Sequence, residues 1–177
     1  MNNRRAMRRA RGFSLIEVLV ALIVLSVGLL GIAKMQSLAL SSTTTASSRS
    51  LAAIEASSLA DAMHANRVYW ASNTPVTTPV TVTGTSVSNG PTAAASCTTA
   101  CTAPQLAGYD LQQWANALNA LLPNDSATIT CFSTTPVGCT ITVSWFEKTV
   151  AINAQEQAAS SASADINNPS YTLYVEP

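Results

Sequence analysis

FSLIEVLVALIVLSVGLLGIA, residues 13–33, is the stretch that decides the fold, and Glu17 is its one charged side chain. At about 1.5 Å rise per residue, a helix of this length is about 30 Å long, which is enough to span the hydrocarbon core of a bilayer. Five arginines precede it within residues 1–12, and Lys34 follows it directly. The positive-inside rule therefore predicts a cytoplasmic basic leader and places everything after residue 34 on the far side of the membrane.

The rest of the chain is acidic, although the formal net charge of all 177 residues is zero. Nine basic side chains balance nine acidic ones, and because five of the basic ones lie in residues 1–12, the remainder holds four basic against nine acidic. An acidic body repels phosphate, so binding to nucleic acid is not expected. The length is that of one domain, and the 47% of hydrophobic residues can supply its core.

Three ordinary explanations of residues 13–33 leave Glu17 unexplained. A secretory signal peptide has a shorter apolar region, of about 7–15 residues. The paired arginines suit a twin-arginine signal, but the residues that follow them fit that signal poorly. A plain signal anchor fits the hydropathy. A carboxylate four residues into a spanning helix costs a few kcal/mol, however, and is by default a functional residue with a partner.

Residues 11–22, RGFSLIEVLVAL, resemble the cleavage and methylation signature of type IV prepilins and of type II secretion pseudopilins. The resemblance implies that a prepilin peptidase cuts the leader after Gly12. It implies further that Phe13 becomes the mature, N-methylated N-terminus and that Glu17 is the hallmark carboxylate of assembly.

A physical role for Glu17 follows from this resemblance. Cleavage creates a new α-amine at Phe13, which stays positively charged after N-methylation. A lone carboxylate and a lone amine are each costly among packed apolar helices, whereas a pair is tolerable. We therefore hypothesise that the pair checks the register between neighbouring subunits. Gly28 and Gly31 in the same helix indicate either close helix packing or local unwinding during assembly.

The helix is expected to continue past the membrane, because residues 34–72 contain neither proline nor glycine. Apolar residues that lie broadly on one face of this half predict its packed side, and they are Leu51, Ile54, Leu59, Ala62 and Met63. The predicted division of the chain is a cleaved leader at 1–12, a transmembrane and assembly half-helix at 13–33, an amphipathic half-helix at 34–72, and an exported head at 73–177.

The head is predicted to be α+β, with one further helix and a three- to four-stranded antiparallel sheet. Asp110 is the predicted N-cap of that helix, with Gln113 in the capping-box position, and Pro123 ends it. The apolar face of the helix is predicted to be Leu111, Trp114, Leu118 and Leu121. Alternating residues predict strands at 128–132, 140–146 and 170–175. The Thr-, Pro- and Val-rich stretch 74–85 indicates an extended loop or weak strand, and we favour a solvated connector over a recognition surface.

The four cysteines, Cys97, Cys101, Cys131 and Cys139, are predicted to form disulfides, because an exported head meets an oxidising compartment. Three connectivities are possible. Cys131 and Cys139 flank the predicted hairpin and can pair across it, which leaves Cys97 with Cys101. The cysteine spacing does not suit zinc, and no cofactor is expected. His64 is the one histidine, and no nucleophile elbow, phosphate loop or paired-carboxylate motif is present, so the chain is not expected to be an enzyme.

Residues 26–36, SVGLLGIAKMQ, and residues 97–123 resemble PilV-type minor pilins, the type IV pilus modification proteins, as does Val143-Ser144-Trp145. The resemblance implies a structural subunit of low abundance that helps to initiate the pilus and lies near its tip. Its implied partners are the prepilin peptidase, other minor pilins, the major pilin and the inner-membrane assembly platform.

The location implied by the same resemblance is a single-pass inner-membrane protein before assembly, with the N-terminus cytoplasmic and the head periplasmic, and an extracellular pilus afterwards. A minor pseudopilin of a type II secretion system is the alternative within the family. A membrane-tethered adhesin or binding module is the alternative from a different class.

Overall fold

Helices occupy most of the described chain up to residue 70 and the stretch that ends at residue 121, and an antiparallel sheet completes the fold. The computed structural model describes residues 12–72, 78–98, 100–132, 136–147, 155, 158 and 168–177. The helices are α1 (Leu15–Ala65), α2 (Arg67–Trp70) and α3 (Ala103–Leu121). The strands are β1 (Val80–Thr83), β2 (Ser86–Ser88), β3 (Ser126–Phe132), β4 (Gly138–Ser144) and β5 (Ser170–Val175).

The chain divides into two compact units, of which the first is residues 1–40 and the second is residues 41–177. In the first unit, the predicted leader lies outside the described residues except for Gly12. Helix α1 is the one helix among the described residues that is long and apolar enough to cross a membrane, and its most apolar window is not buried at all. This lack of burial distinguishes it from the core helix of a globular domain.

In the second unit, small side chains mark the buried face of α1. Buried residues recur at three- and four-residue spacings, and they are Ala52, Ala56, Leu59, Ala60 and Met63. The prediction for Leu59 and Met63 is confirmed, but the one for Ile54 is wrong, because its side chain is 58% exposed. A prediction from sequence gives most weight to bulky apolar residues such as Ile54. In the structure, three alanines spaced four residues apart, Ala52, Ala56 and Ala60, form most of the face of α1 that packs against the core.

Helix α3 begins at Ala103, seven residues before the predicted N-cap Asp110. Thr102 is the N-cap. The backbone N of Thr102 donates a hydrogen bond to Gln105 Oε1 at 3.0 Å, and Thr102 Oγ1 donates to the same oxygen at 2.9 Å. The Asp110 prediction is therefore wrong. A stronger start signal lies upstream, since the T-x-x-Q pattern of a capping box is joined there by Pro104 in the first turn.

The buried face of α3 comprises Ala107, Gly108, Leu111, Trp114, Ala115 and Leu118. Three of the four predicted face residues are among them, whereas Leu121 is 44% exposed near the helix end. Gly108 permits a close backbone approach, because a Cβ there would lie 2.6 Å from both the Pro91 carbonyl oxygen and the Ala93 nitrogen. No larger residue fits without displacing the segment that precedes the helix.

The sheet has five strands in the order β2-β1-β3-β4-β5, and each neighbouring pair is antiparallel. Strands β3, β4 and β5 are the three predicted ones. Strands β1 and β2 raise the number of strands to five, which is one more than the predicted maximum. Strand β1 lies within the stretch 74–85, so the weak-strand interpretation is correct for residues 80–83 and the preferred interpretation of a solvated connector is wrong there. Val80 and Val82 are buried, and Gly84 supplies the positive φ of +56° that the connecting turn requires. Residues 74–77 lie outside the described part of the chain.

One cluster of buried side chains joins the inner face of the sheet to α1, α2 and α3 within the second unit. Its largest fully buried members are Leu59, Met63, Leu111, Leu118, Leu122, Ile129 and Ile141. The predicted α+β layout, with a long apolar N-terminal helix, a further helix and an antiparallel sheet, is confirmed.

Candidate processing and assembly site

The segment that precedes α1 is not helical and is open to approach. Residues 12–14 have no regular structure, and no atom lies within 4 Å of the position that a Cβ on Gly12 would take. Phe13 is 80% exposed. The Gly12–Phe13 peptide bond, which is the predicted cleavage point, thus lies outside the helix and is unobstructed by the described residues.

Glu17 lies in the first turn of α1 and is exposed. Its backbone N donates a hydrogen bond to the Ser14 carbonyl oxygen at 3.0 Å, and that of Val18 donates to the same oxygen at 3.3 Å. A carboxylate at a helix N-terminus is favoured by the helix dipole, and Ser14-x-x-Glu17 also has the pattern of a capping box. Glu17 therefore has a local role available to it in addition to the predicted pairing with a neighbouring subunit.

The apolar surface that follows Glu17 is exposed along its whole length. Its large side chains are each at least 47% exposed, and they include Val18, Leu19, Leu22, Leu25, Leu29 and Ile32. No atom lies within 4 Å of the position that a Cβ would take on Gly28 or on Gly31, so no described contact within the chain requires a glycine at either place. Both glycines remain available for close approach of another helix or for local unwinding.

A comparison with protein families decides the class of this N-terminal segment. Residues 7–33 match the prokaryotic N-terminal methylation motif. The match includes Gly12, Phe13 and Glu17, and it supports a type IV pilin-like or pseudopilin-like protein that is anchored in the membrane by α1. The motif implies processing by a prepilin peptidase and assembly with pilus partners. No curated protein and no solved structure is significantly similar to the chain.

The four cysteines form two disulfides in the head. Cys131 and Cys139 are directly paired residues of β3 and β4, with Cα atoms 4.0 Å apart, and they are bonded. Cys97 and Cys101 are bonded just before α3, with Cα atoms 5.6 Å apart. These are the pairings expected if Cys131 and Cys139 are joined across the predicted hairpin, which leaves Cys97 with Cys101. Among the residues that the structure describes, no group of three or more His, Cys, Asp or Glu side chains is arranged to hold a metal ion.

An ion pair between an exposed arginine and a buried carboxylate, which no sequence pattern predicted, joins α1 to the segment after β4. The Glu147 side chain is 4% exposed, and it accepts hydrogen bonds from Arg49 Nε at 3.1 Å and from Arg49 Nη2 at 3.0 Å. Trp145 Nε1 donates a third bond to Glu147 at 3.0 Å. The hydrogen bonds and then the charge of Glu147 raise the pKa of Arg49. Because 98 residues separate the two partners, no local pattern indicates their contact.

A second charged group is buried at the start of β3. Asp125 is 3% exposed, and neither carboxylate oxygen has a hydrogen-bond partner elsewhere in the described chain. Loss of solvation raises the pKa of Asp125, and an interaction with its own backbone N–H opposes part of that rise. The group lies in the head, and burial of a carboxylate without a partner lowers the stability of the folded head.

Proposed function

We propose that the chain is a structural minor subunit of a type IV pilus, which helps to initiate assembly, lies near the filament tip and carries no catalytic activity. The observation that supports this most is an overlap: the motif matched at residues 7–33 contains most of the exposed apolar part of α1. The same segment therefore holds the signal for processing and an exposed apolar surface that must be buried away from water. A bilayer covers that surface before assembly, and the apolar helices of other subunits cover it afterwards.

The first step is removal of the leader between Gly12 and Phe13 by the prepilin peptidase on the cytoplasmic face. The exposed, non-helical backbone at residues 12–14 supports cleavage at this point. N-methylation of Phe13 follows. The mature subunit stays in the inner membrane with its head in the periplasm until the assembly platform adds it to other minor pilins and the major pilin.

Glu17 then acts in assembly, by pairing with the Phe13 amine of a neighbouring subunit. A buried carboxylate without a partner costs several kcal/mol, so a misaligned subunit is disfavoured by two unpaired charges. The exposure of Glu17 within an apolar helix supports this role, because nothing described in its own chain compensates its charge other than the helix N-terminus.

The direct test of the proposed function is mass spectrometry of sheared, purified pili. We expect a mature peptide of this chain that begins with N-methylated Phe13, at a small fraction of the amount of the major pilin. Recovery of the chain from membranes alone, in cells that make pili, would contradict the proposal.

Two variants of Glu17 separate pairing between subunits from helix capping. Glu17→Gln keeps the capping-box pattern and removes the charge, whereas Glu17→Ala removes both. Both should insert and be processed, because an intramembrane charge is lost and the residue lies beyond the scissile bond. If pairing is the role, both are absent from sheared pili. Incorporation of the glutamine variant at the wild-type level would show that capping is sufficient.

A minor pseudopilin of a type II secretion system carries the same N-terminal motif and remains the alternative within the family. Deletion of the gene distinguishes the two. Loss of surface pili with normal protein secretion supports the pilus, whereas retention of secreted enzymes in the periplasm with normal pili supports the secretion system.

A further inference from the structure

The outer face of the five-stranded sheet is a regular array of hydroxyl groups. Outward residues alternate with the buried residues of the core in β1, β3 and β4. Directly paired residues form one row across all five strands, which is Ser88, Thr81, Thr128, Thr142 and Thr172. The next row is Ser86, Thr83, Ser126, Ser144 and Ser170. Strand geometry places these hydroxyls about 4.8 Å apart across the sheet and about 6.7 Å apart along it.

Exposed aromatic residues lie at one end of this hydroxyl face. Phe132 on β3 pairs with Gly138 on β4, and its side chain is 46% exposed. Tyr174 on β5 is 58% exposed, and its ring lies over Gly138, where a Cβ would collide with it. Gly138 is buried, because the Tyr174 ring covers it, and the lack of a side chain at Gly138 lets that ring lie flat against the sheet next to Phe132. A third hydroxyl row, Thr130 and Thr140, adjoins the rings.

Ordinary strand propensity explains part of this pattern, because threonine is a favoured residue on the solvated face of a sheet. It does not explain the lack of charge. Within the five strands as the structure describes them, no outward side chain is charged, although edge strands commonly carry charges that prevent pairing with other chains. The same propensity favours aromatic residues in strands, and the observation specific to this sheet is that Phe132 and Tyr174 are each about half exposed on one uncharged face.

We propose that this face binds a neutral polysaccharide. Sugar rings present apolar faces that stack on aromatic side chains, and sugar hydroxyls act both as donors and as acceptors, as serine and threonine hydroxyls do. Polyanions require arginine, lysine or backbone N–H groups that converge on a site, and the five strands as described present no basic side chain on this face. Glu176, which accepts a hydrogen bond from Tyr174 Oη at 3.2 Å, adds a carboxylate at the rim and further disfavours anionic polymers.

The test uses the full-length chain in detergent micelles and three insoluble neutral polymers, namely microcrystalline cellulose, chitin and cross-linked dextran. Heparin-agarose is the anionic comparison. We expect retention on at least one neutral polymer, elution by the matching soluble oligosaccharide, and no retention on heparin. The proposal does not depend on pilus assembly, which is measured separately by recovery of the chain from sheared pili.

Matched variants locate the binding surface. Tyr174→Ala and Phe132→Ala should each weaken binding about two- to tenfold, which corresponds to the loss of one aromatic contact. The double variant Thr128→Val, Thr142→Val keeps β-branched side chains and removes two hydroxyls of one row, so it should weaken binding while the fold is retained. Val68→Ala, at a residue on α2 that is 80% exposed, is the control and should bind as the wild type does.

Three results would overturn the proposal. The first is a folded wild-type chain that no neutral polymer retains. The second is unchanged binding by the aromatic and threonine variants, with folding verified by circular dichroism and thermal unfolding. The third is a fall in particle mass on light scattering for Tyr174→Ala without loss of polymer binding, which would show that the face is an interface between copies of the chain.

Discussion

Replacement of Arg49 by methionine removes the partner of a buried carboxylate and keeps most of the apolar length of the side chain. In the wild type, Glu147 accepts hydrogen bonds from Arg49 Nε at 3.1 Å, from Arg49 Nη2 at 3.0 Å, and from Trp145 Nε1 at 3.0 Å. In the variant, the hydrogen bond from Trp145 is the one of these three that remains to stabilise the Glu147 side chain, which is 4% exposed. We expect the free energy of unfolding of the head to fall.

The magnitude follows from two opposing considerations. Removal of one partner from a fully buried ion pair costs about 3–5 kcal/mol. The Arg49 side chain is 62% exposed, however, so solvent screens its charge, and the Trp145 bond persists. We therefore expect a loss of about 2 kcal/mol, or about 6 °C in Tm for a unit of this size. Glu147→Gln should cost less, about 1 kcal/mol, because Arg49 can return to water and the glutamine oxygen can still accept from Trp145.

The assay is urea unfolding of the full-length chain in detergent, followed by tryptophan fluorescence. The double variant Arg49→Met, Glu147→Gln should lose about 1 kcal/mol less than the sum of the single losses, since each change removes the same interaction. Arg67→Met is the control, at an exposed arginine on α2, and should change stability by no more than about 0.5 kcal/mol. Additive single losses, or an Arg49 loss no larger than the control, would refute the reasoning.

Three other outcomes can be measured directly. Gly12→Leu should leave unprocessed precursor in the membrane, detected as the larger band on an immunoblot, and normal maturation of this variant would contradict cleavage at Gly12. Non-reducing peptide mapping should recover Cys131 linked to Cys139, and replacement of both by serine should lower head stability by about 2–4 kcal/mol; a peptide that links either residue to another cysteine would show the pairing to be wrong. Asp125→Asn should stabilise the head at pH 7. Burial raises the folded-state pKa of Asp125 above the unfolded value of about 3.9, so the folded state binds more protons and wild-type stability falls as pH rises from about 4 through that raised pKa. The variant should lack this fall in urea unfolding at pH 4 and pH 7, and equal pH dependence in both proteins would contradict it.

Local signals were sufficient where the chain forms structure with its sequence neighbours. The apolar run at residues 13–33 and the lack of proline and glycine at 34–72 predict one long helix, and the structure has α1 at Leu15–Ala65. Alternation around Cys131 and Cys139 predicts the β3–β4 hairpin. In both cases the residues that form the element also carry its signal, because hydrophobic periodicity is set by contacts a few residues apart.

The remaining features depend on distant contacts or on small residues. Strand β1 is stabilised by pairing with β3, more than 40 residues later, so residues 80–83 alone read as a loop or a weak strand. The packed face of α1 consists largely of alanines, which are only weakly hydrophobic. A prediction based on hydrophobicity therefore assigns Ile54 to that face, although Ile54 is exposed. The Arg49–Glu147 pair has no sequence pattern at all, because each residue resembles an ordinary surface charge until the fold brings the two together.

The position of the Cys131–Cys139 bond has a mechanical consequence for a protein held under tension. The bond joins directly paired residues next to the Phe132–Gly138 pair, at the end of the sheet that carries the exposed rings. A pull applied at that end can separate Phe132 from Gly138, but it cannot peel β3 from β4 any further, because the next step would break the covalent bond between Cys131 and Cys139. The seven residues between the two cysteines are likewise withheld from extension, which removes about 25 Å from the contour length of the unfolded head. In a force-extension experiment, the oxidised head should therefore unfold with a shorter step than the reduced head.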